Sequence, residues 1–283
     1  MRRLGVHTSI AGGLSRSLER AYALGCNTMQ IFSHNPRGWE IKDIPEADRT
    51  HFQILRQTLD ISPVYVHTSY LINVASKDAA LRRKSIALLR AEMDRADALG
   101  AEFVILHPGS ASGDDDRLSR KRSIASLNQL AEAGTWKAGL LIENTAGERG
   151  DISSRISDLA EILHGVQGHM ISGVCFDTCH AFSAGYDMRD DRGIRLIAEE
   201  IETHMGLQRV KLIHLNDSKR EKGSGIDRHE DIGRGKIGFK GLRQFITSRQ
   251  FIPIPLILET PKKDGAADLR NLSTVRKMLR MKR

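Results

Sequence analysis

The chain has 283 residues, 40% apolar and 28% charged, and 43 Lys and Arg against 35 Asp and Glu give a formal net charge of +8. That is enough for one large α/β barrel, and with no composition shift or Gly/Ser or Pro-rich linker a single domain over 1–283 is expected. No apolar run nears the roughly 20 residues of a membrane span, His7, Thr8 and Ser9 break the N-terminal apolar stretch before it resembles a secretory signal, and three cysteines are too few for a disulfide scaffold, so a cytoplasmic, membrane-free protein is expected.

Short β-branched or aliphatic runs follow one another: LGVH (4–7), TMQIF (28–32), PVYVH (63–67), FVILH (103–107), GLLIE (139–143), GVCFD (173–177), VKLIH (210–214) and PLILE (255–259). Segments of helical period lie between them, as at 14–25, 81–100, 119–134 and 192–206, each closed by a glycine. Alternating strand and helix implies a parallel sheet with right-handed crossovers, and eight repeats are the count of a closed barrel. A doubly wound open sheet is the alternative. It gathers residues at one crevice, whereas here all eight runs end in or are followed by a polar side chain, which suits the C-terminal mouth of a (β/α)8 TIM barrel. The basic tail, 276–283, reads as a frayed last helix with a solvated face.

His67, His107, Glu143, Asp177, His180, His214, Asp227, His229 and Glu259 stand at or just beyond the later run ends. Imidazole and carboxylate without thiolate are the ligands of a hydrolytic zinc or a manganese site, since they leave the ion Lewis acidic. Cys175 shares the strand parity of Asp177, so it is expected in the packed barrel interior, and Cys26 in the core. At about three or four protein ligands per ion, nine residues suggest two or three ions sharing a bridging carboxylate. Four carboxylates against three divalent cations leave a net positive site that suits an anion, and closely spaced ions activate water for attack on a phosphoryl group. Phosphodiester hydrolysis fits both this site and a basic surface. His7 follows the same pattern, as either a supporting or a structural residue. His34, His51, His164, His169 and His204 are expected to be solvated.

HTSYLIN (67–73), LHPGS (106–110), IENTAG (142–147), GVCFDTCHAFSAGYD (173–187), HLNDSK (214–219), DRHEDIGRGKIG (227–238) and LILETP (256–261) together resemble endonuclease IV, the family of zinc-dependent apurinic/apyrimidinic endonucleases. The resemblance implies a barrel with three zinc ions, manganese being acceptable at one position. His67 and His107 would hold the first ion with Glu143, and Glu143 would bridge to a second held by Asp177, His214 and Glu259. His180, Asp227 and His229 would hold the third. It also implies loops that enter the minor groove of DNA beside an abasic site, with Arg37, Tyr70 and Leu71 in the wedge positions. A lesion without its base costs little to unstack, so extrusion itself selects the substrate. Gly38 stands where some relatives carry a larger polar side chain, which implies fewer contacts at that loop.

The expected activity is cleavage of duplex DNA 5′ to abasic sites, leaving a 3′-hydroxyl, and removal of groups blocking 3′ ends, with Glu143 central to catalysis. Two rivals are a sugar isomerase or epimerase, which needs fewer ligands and no third set, and a module that binds damaged DNA without cutting it. Nothing in the sequence calls for an oligomer, so a monomer is expected.

Overall fold

In the computed structural model, which describes residues 2–168 and 170–280, eight strands form one parallel sheet. They are β1 (Leu4–Val6), β2 (Met29–Phe32), β3 (Val64–His67), β4 (Phe103–Leu106), β5 (Gly139–Glu143), β6 (Ile171–Asp177), β7 (Val210–His214) and β10 (Leu256–Leu258), in the order β1-β10-β7-β6-β5-β4-β3-β2. The remaining seam, between β1 and β2, is closed by a parallel bridge between His7 and Gln30, and Thr8 N donates to Gln30 O at 2.8 Å. Gly5 permits that approach, because a Cβ there would lie 2.0 Å from the carbonyl oxygen of Thr28. The sheet is therefore a (β/α)8 barrel, as its repeat count predicts.

The helices are α1 (Leu14–Ala23), α2 (Glu46–Thr58), α3 (Ala79–Leu99), α4 (Asp116–Ala133), α5 (Ile156–Gly165), α6 (Thr178–Ser183), α7 (Asp191–His204), α8 (Gly238–Thr247) and α9 (Ala267–Arg280). The longest, α3, shows why its ends fall where they do. The Asp78 carboxylate accepts from the amides of Ala80 (2.7 Å) and Leu81 (3.2 Å), and Gly100 takes the left-handed conformation that ends it. Leu272, Val275 and Met278 seat α9 in the core, so only part of the tail is solvated, and residues 281–283 lie outside the described residues. No helix among the described residues is long and apolar enough to cross a membrane.

Two cores result. The larger lies between the sheet and its helices. The smaller fills the barrel with Tyr65, Ile105, Leu141, Cys175, Leu212 and Ile257. Each of these six stands two residues before His67, His107, Glu143, Asp177, His214 or Glu259. Because strand side chains alternate, the six polar residues project into the same lumen one layer higher, on an apolar floor.

Candidate metal centre

His67, Glu143, Asp177 and His214 are the last residues of their strands, and His107 and Glu259 come one position after theirs. The other three come from the loops. His180 lies on α6, whose first turn is capped by Asp177 accepting from His180 N at 2.8 Å. Asp227 and His229 lie on the excursion between β7 and α8, where β8 (Asp217–Ser218) and β9 (His229–Glu230) form a short antiparallel ribbon. The structure thus brings all nine residues to one mouth.

Within it, the possible ligand atoms fall into three sets, each with all its atoms within 4.8 Å of one another: His67, His107 and Glu143; Glu143, Asp177, His214 and Glu259; and His180, Asp227 and His229. Glu143 Oε2 faces His67 Nε2 (3.3 Å) and His107 Nε2 (3.5 Å), while its Oε1 faces His214 Nδ1 (2.8 Å). One carboxylate thus serves two sets. Asp177 Oδ2 lies 4.0 Å from His214 Nδ1 and 3.8 Å from His229 Nε2, so it stands between the second and third sets. Cys175 and Cys179 are close enough to join further groupings. Burial pushes both thiols up, Cys179 to about 12, so they stay protonated as small apolar residues.

The outer hydrogen bonds fix which ring nitrogen faces the cluster. Nδ1 of His67, His180 and His229 lies 2.9, 2.9 and 3.0 Å from the carbonyl oxygens of Thr68, Asn144 and Glu259. A carbonyl only accepts, so each Nδ1 carries the proton and Nε2 turns towards the carboxylates. His229 Nε2 is buried and makes no hydrogen bond, 3.2 Å from Asp227 Oδ1. With Nδ1 donating to the Glu259 carbonyl, Nε2 presents a lone pair to the Asp227 carboxylate, an arrangement that fits a cation between them.

Charge couples these groups. Burial pushes His214 down, but Glu143 and Glu259 outweigh it and its pKa rises to about 9. His229 reaches about 9 in the same way through Asp227 and Asp177. Burial also opposes ionisation of Glu143, Glu259 and Asp227, yet the neighbouring imidazoles hold all three below the usual carboxylate range. His107, for which burial dominates, falls to about 4 and stays neutral.

Sequence reasoning missed the residues that hold this cluster. Gln30 is fully buried. Its Oε1 lies 2.7 Å from His214 Nε2, and its Nε2 donates to Glu259 Oε1 (2.6 Å) and lies 2.9 Å from His7 Nδ1. His7, left open between two roles, is 3.5 Å from Glu259 and thus supports it. Asn216 donates to Asp177 Oδ2 (2.6 Å) and accepts from Glu259 N (2.9 Å). Asp217 accepts five backbone amides, from Ser218, Gly233, Gly235, Ile237 and Gly238, and so folds the loop after His229. Gln30 did leave one signal, as an uncharged polar residue in the middle of an apolar run.

The wedge candidates lie around the same mouth. Tyr70 is 65% exposed, packs edge-on against Phe32 at 5.1 Å, and lines a cavity of about 490 Å³ with His67, His107, His180, His229 and Glu259. Arg37 is exposed and Leu71 half-buried, and neither lines that cavity. A larger cavity of about 630 Å³, bordered by Arg2, Asn27, Ile246 and Arg276, contains none of the nine residues. His51, His164 and His204 are exposed as expected, and His169 lies outside the described residues. His34 corrects its expectation. It is buried, with Nε2 2.6 Å from Glu92 Oε1, because a charged partner on α3 reaches its loop from 58 positions away in the chain.

The model of a family described as a xylose isomerase-like TIM barrel matches residues 18–281. A probable endonuclease 4 of Methanoculleus marisnigri is 40% identical over 276 residues, covering 97% of this chain and 98% of that protein. One of Chloroflexus aurantiacus is 40% identical over 281 residues, with 99% of each covered. The chain belongs to the endonuclease IV family. The crystal structure of endonuclease IV from Thermus thermophilus superposes with a TM-score of 0.85 at 34% identity, over 98% of both chains. A D-tagatose 3-epimerase-like protein also superposes, with a TM-score of 0.74, but at 19% identity it shares the fold alone with this endonuclease IV family member.

Proposed function

We propose that this chain is a metal-dependent DNA-repair endonuclease that hydrolyses the phosphodiester 5′ to an abasic site in duplex DNA, leaving a 3′-hydroxyl, and that it clears phosphate and phosphodiester blocks from 3′ ends. One domain over 1–283 would act as a monomer, in the cytoplasm and on the DNA of the nucleoid. The observation that carries the reading is Glu143, a fully buried carboxylate whose two oxygens face two different ligand sets, with a complete third set beside them.

His67, His107 and Glu143 would hold one zinc ion. Glu143, Asp177, His214 and Glu259 would hold a second, and His180, Asp227 and His229 a third, with manganese an alternative at one position. Bound ions would supply Lewis acidity, lowering the pKa of water and neutralising charge on the phosphoryl oxygens. The residues themselves fix the geometry. Glu143 spans two sets from the end of a strand, and the carbonyls of Thr68, Asn144 and Glu259 hold three imidazoles in one tautomer. Arg228 at the rim of the cavity would offer positive charge to the DNA backbone, with Lys262 beside it paired to Asp268. Arg37, Tyr70 and Leu71 would enter the duplex at the lesion, where a missing base makes extrusion cheap.

The test is cleavage of a duplex carrying one abasic-site analogue, beside the same duplex without it, with metal measured on the same preparation. A single cut 5′ to the analogue with nearly three zinc ions per chain is expected. No cut despite a full metal complement would overturn the proposal. The fold likeness to sugar epimerases would then direct a screen of small carbohydrates.

A further inference from the structure

Helix α3 turns two charged side chains inward, one turn apart, onto two loops of the mouth. Glu92 is 1% exposed, and its Oε1 lies 2.6 Å from His34 Nε2 and accepts from Ser69 N at 3.0 Å. Arg95 donates to the carbonyl oxygens of Ser33 and Lys42 and to Ser33 Oγ at 3.3 Å. The loops also touch directly. Ser69 Oγ donates to the Pro36 carbonyl at 2.7 Å and accepts from Leu71 N at 3.2 Å. One loop follows β2 and carries Arg37, three residues after His34. The other follows β3 and carries Tyr70 and Leu71, immediately after Ser69. Burying a carboxylate is costly unless hydrogen bonds and charge offset it. An apolar residue would pack the site as well, but it would leave the Ser69 amide and the His34 ring unpaired.

We propose that Glu92 is a positioning residue for lesion recognition: it ties the loop bearing Arg37 to the loop bearing Tyr70 and Leu71, so that both meet the duplex at a fixed spacing. The inference rests on the reading that these three residues enter DNA. Pre-organised loops lose less freedom on binding, so loosening the tie weakens binding to the damaged duplex and leaves the metal centre untouched. Glu92 makes no hydrogen bond to any of the nine candidate ligands.

The experiment compares Glu92→Gln, Ser69→Ala, Tyr70→Ala and the Glu92→Gln/Tyr70→Ala double variant with the wild-type holoenzyme. It reads KM and kcat on an abasic duplex, zinc content, and fluorescence of 2-aminopurine opposite the lesion. Ser69→Ala breaks the loop-to-loop bond and leaves the Glu92 carboxylate in place, which covers the case in which Glu92→Gln folds poorly. Glu92→Gln and Ser69→Ala should each raise KM by about tenfold. They should keep kcat within about twofold, retain the zinc and weaken the 2-aminopurine signal, and the double variant should bind little worse than Tyr70→Ala alone. An unchanged KM in a folded Glu92→Gln while Tyr70→Ala raises it, additive effects in the double variant, or loss of zinc would each overturn the proposal. An unchanged KM in Tyr70→Ala would instead defeat the reading of the loops on which it rests.

Discussion

Replacing Gln30 by methionine, which has nearly the same shape, would remove both ends of one amide. His214 Nε2 and Glu259 Oε1 would each lose a partner, at 2.7 and 2.6 Å, and His7 would lose its contact at 2.9 Å. His214 has no exposed surface, so no solvent replaces the lost bond. An unpaired buried polar group costs about 1–3 kcal/mol. Loss of an outer partner weakens a metal site by about 10–100-fold, which converts to roughly 1.4–2.8 kcal/mol. The two routes agree, and both place the loss at the set of Glu143, Asp177, His214 and Glu259. In a stopped-flow transfer of metal to a chromophoric chelator, one ion per chain should leave the Gln30→Met protein about 10–100 times faster than wild type, with the others unaffected. Wild-type rates for every ion, or equal acceleration of all, would refute the reasoning.

Glu143→Gln places an amide nitrogen against an imidazole of one set or the other, and should lower cleavage by about two to three orders of magnitude with an unchanged circular dichroism spectrum; unaltered turnover removes Glu143 from the chemistry. His214 and His229, held at about 9, must shed their protons before they can bind a cation. Because Asp177 and Asp227 also hold His180 well above the ordinary imidazole range, zinc titration of the stripped protein at pH 7 should release at least three protons per chain, which calorimetry in buffers of different ionisation enthalpy would count. Because His214 and His229 have a raised pKa in the folded state, their contribution to the stability of the stripped protein is full below about pH 6.5 and is lost as pH rises through about 9. Its Tm should fall over that window, and a flat profile would contradict the pairing. Asp217→Asn turns an amide nitrogen towards at least two of the five amides that the carboxylate accepts, and should cost about 2–4 kcal/mol in urea unfolding. It should also release the ion assigned to His180, Asp227 and His229, which metal analysis would detect.

The barrel and the six strand-end residues were legible because each strand writes its own signal locally, an apolar run, a strand parity and a polar terminus, whereas Asp227 and His229 stand 13 and 15 residues past the end of β7 and His180 lies on α6. GVCFD states in five letters that Cys175 lies in the interior and Asp177 at the rim. What binds the strands to one another is not written locally. Gln30 is a modest polar residue until β2 meets β7 and β10, and Glu92 looks like the solvated face of a long helix until the two mouth loops fold over it. His34 was misjudged for that reason, since its burial depends on a carboxylate 58 positions away. The division of Asp177 and His180 between different sets is likewise a matter of side-chain direction, which spacing in a four-residue turn does not contain.

The closing seam of the barrel has a consequence for how the protein matures. Gln30, on the second strand, touches Glu259 just after the last, and the His7–Gln30 bridge lies beside that contact. A nascent or truncated chain that lacks the final strand has neither a closed cylinder nor a complete candidate set around Glu143. If that set holds a metal ion as proposed, uptake there depends on the last strand having docked, so binding at the set of Glu143, Asp177, His214 and Glu259 would report barrel closure.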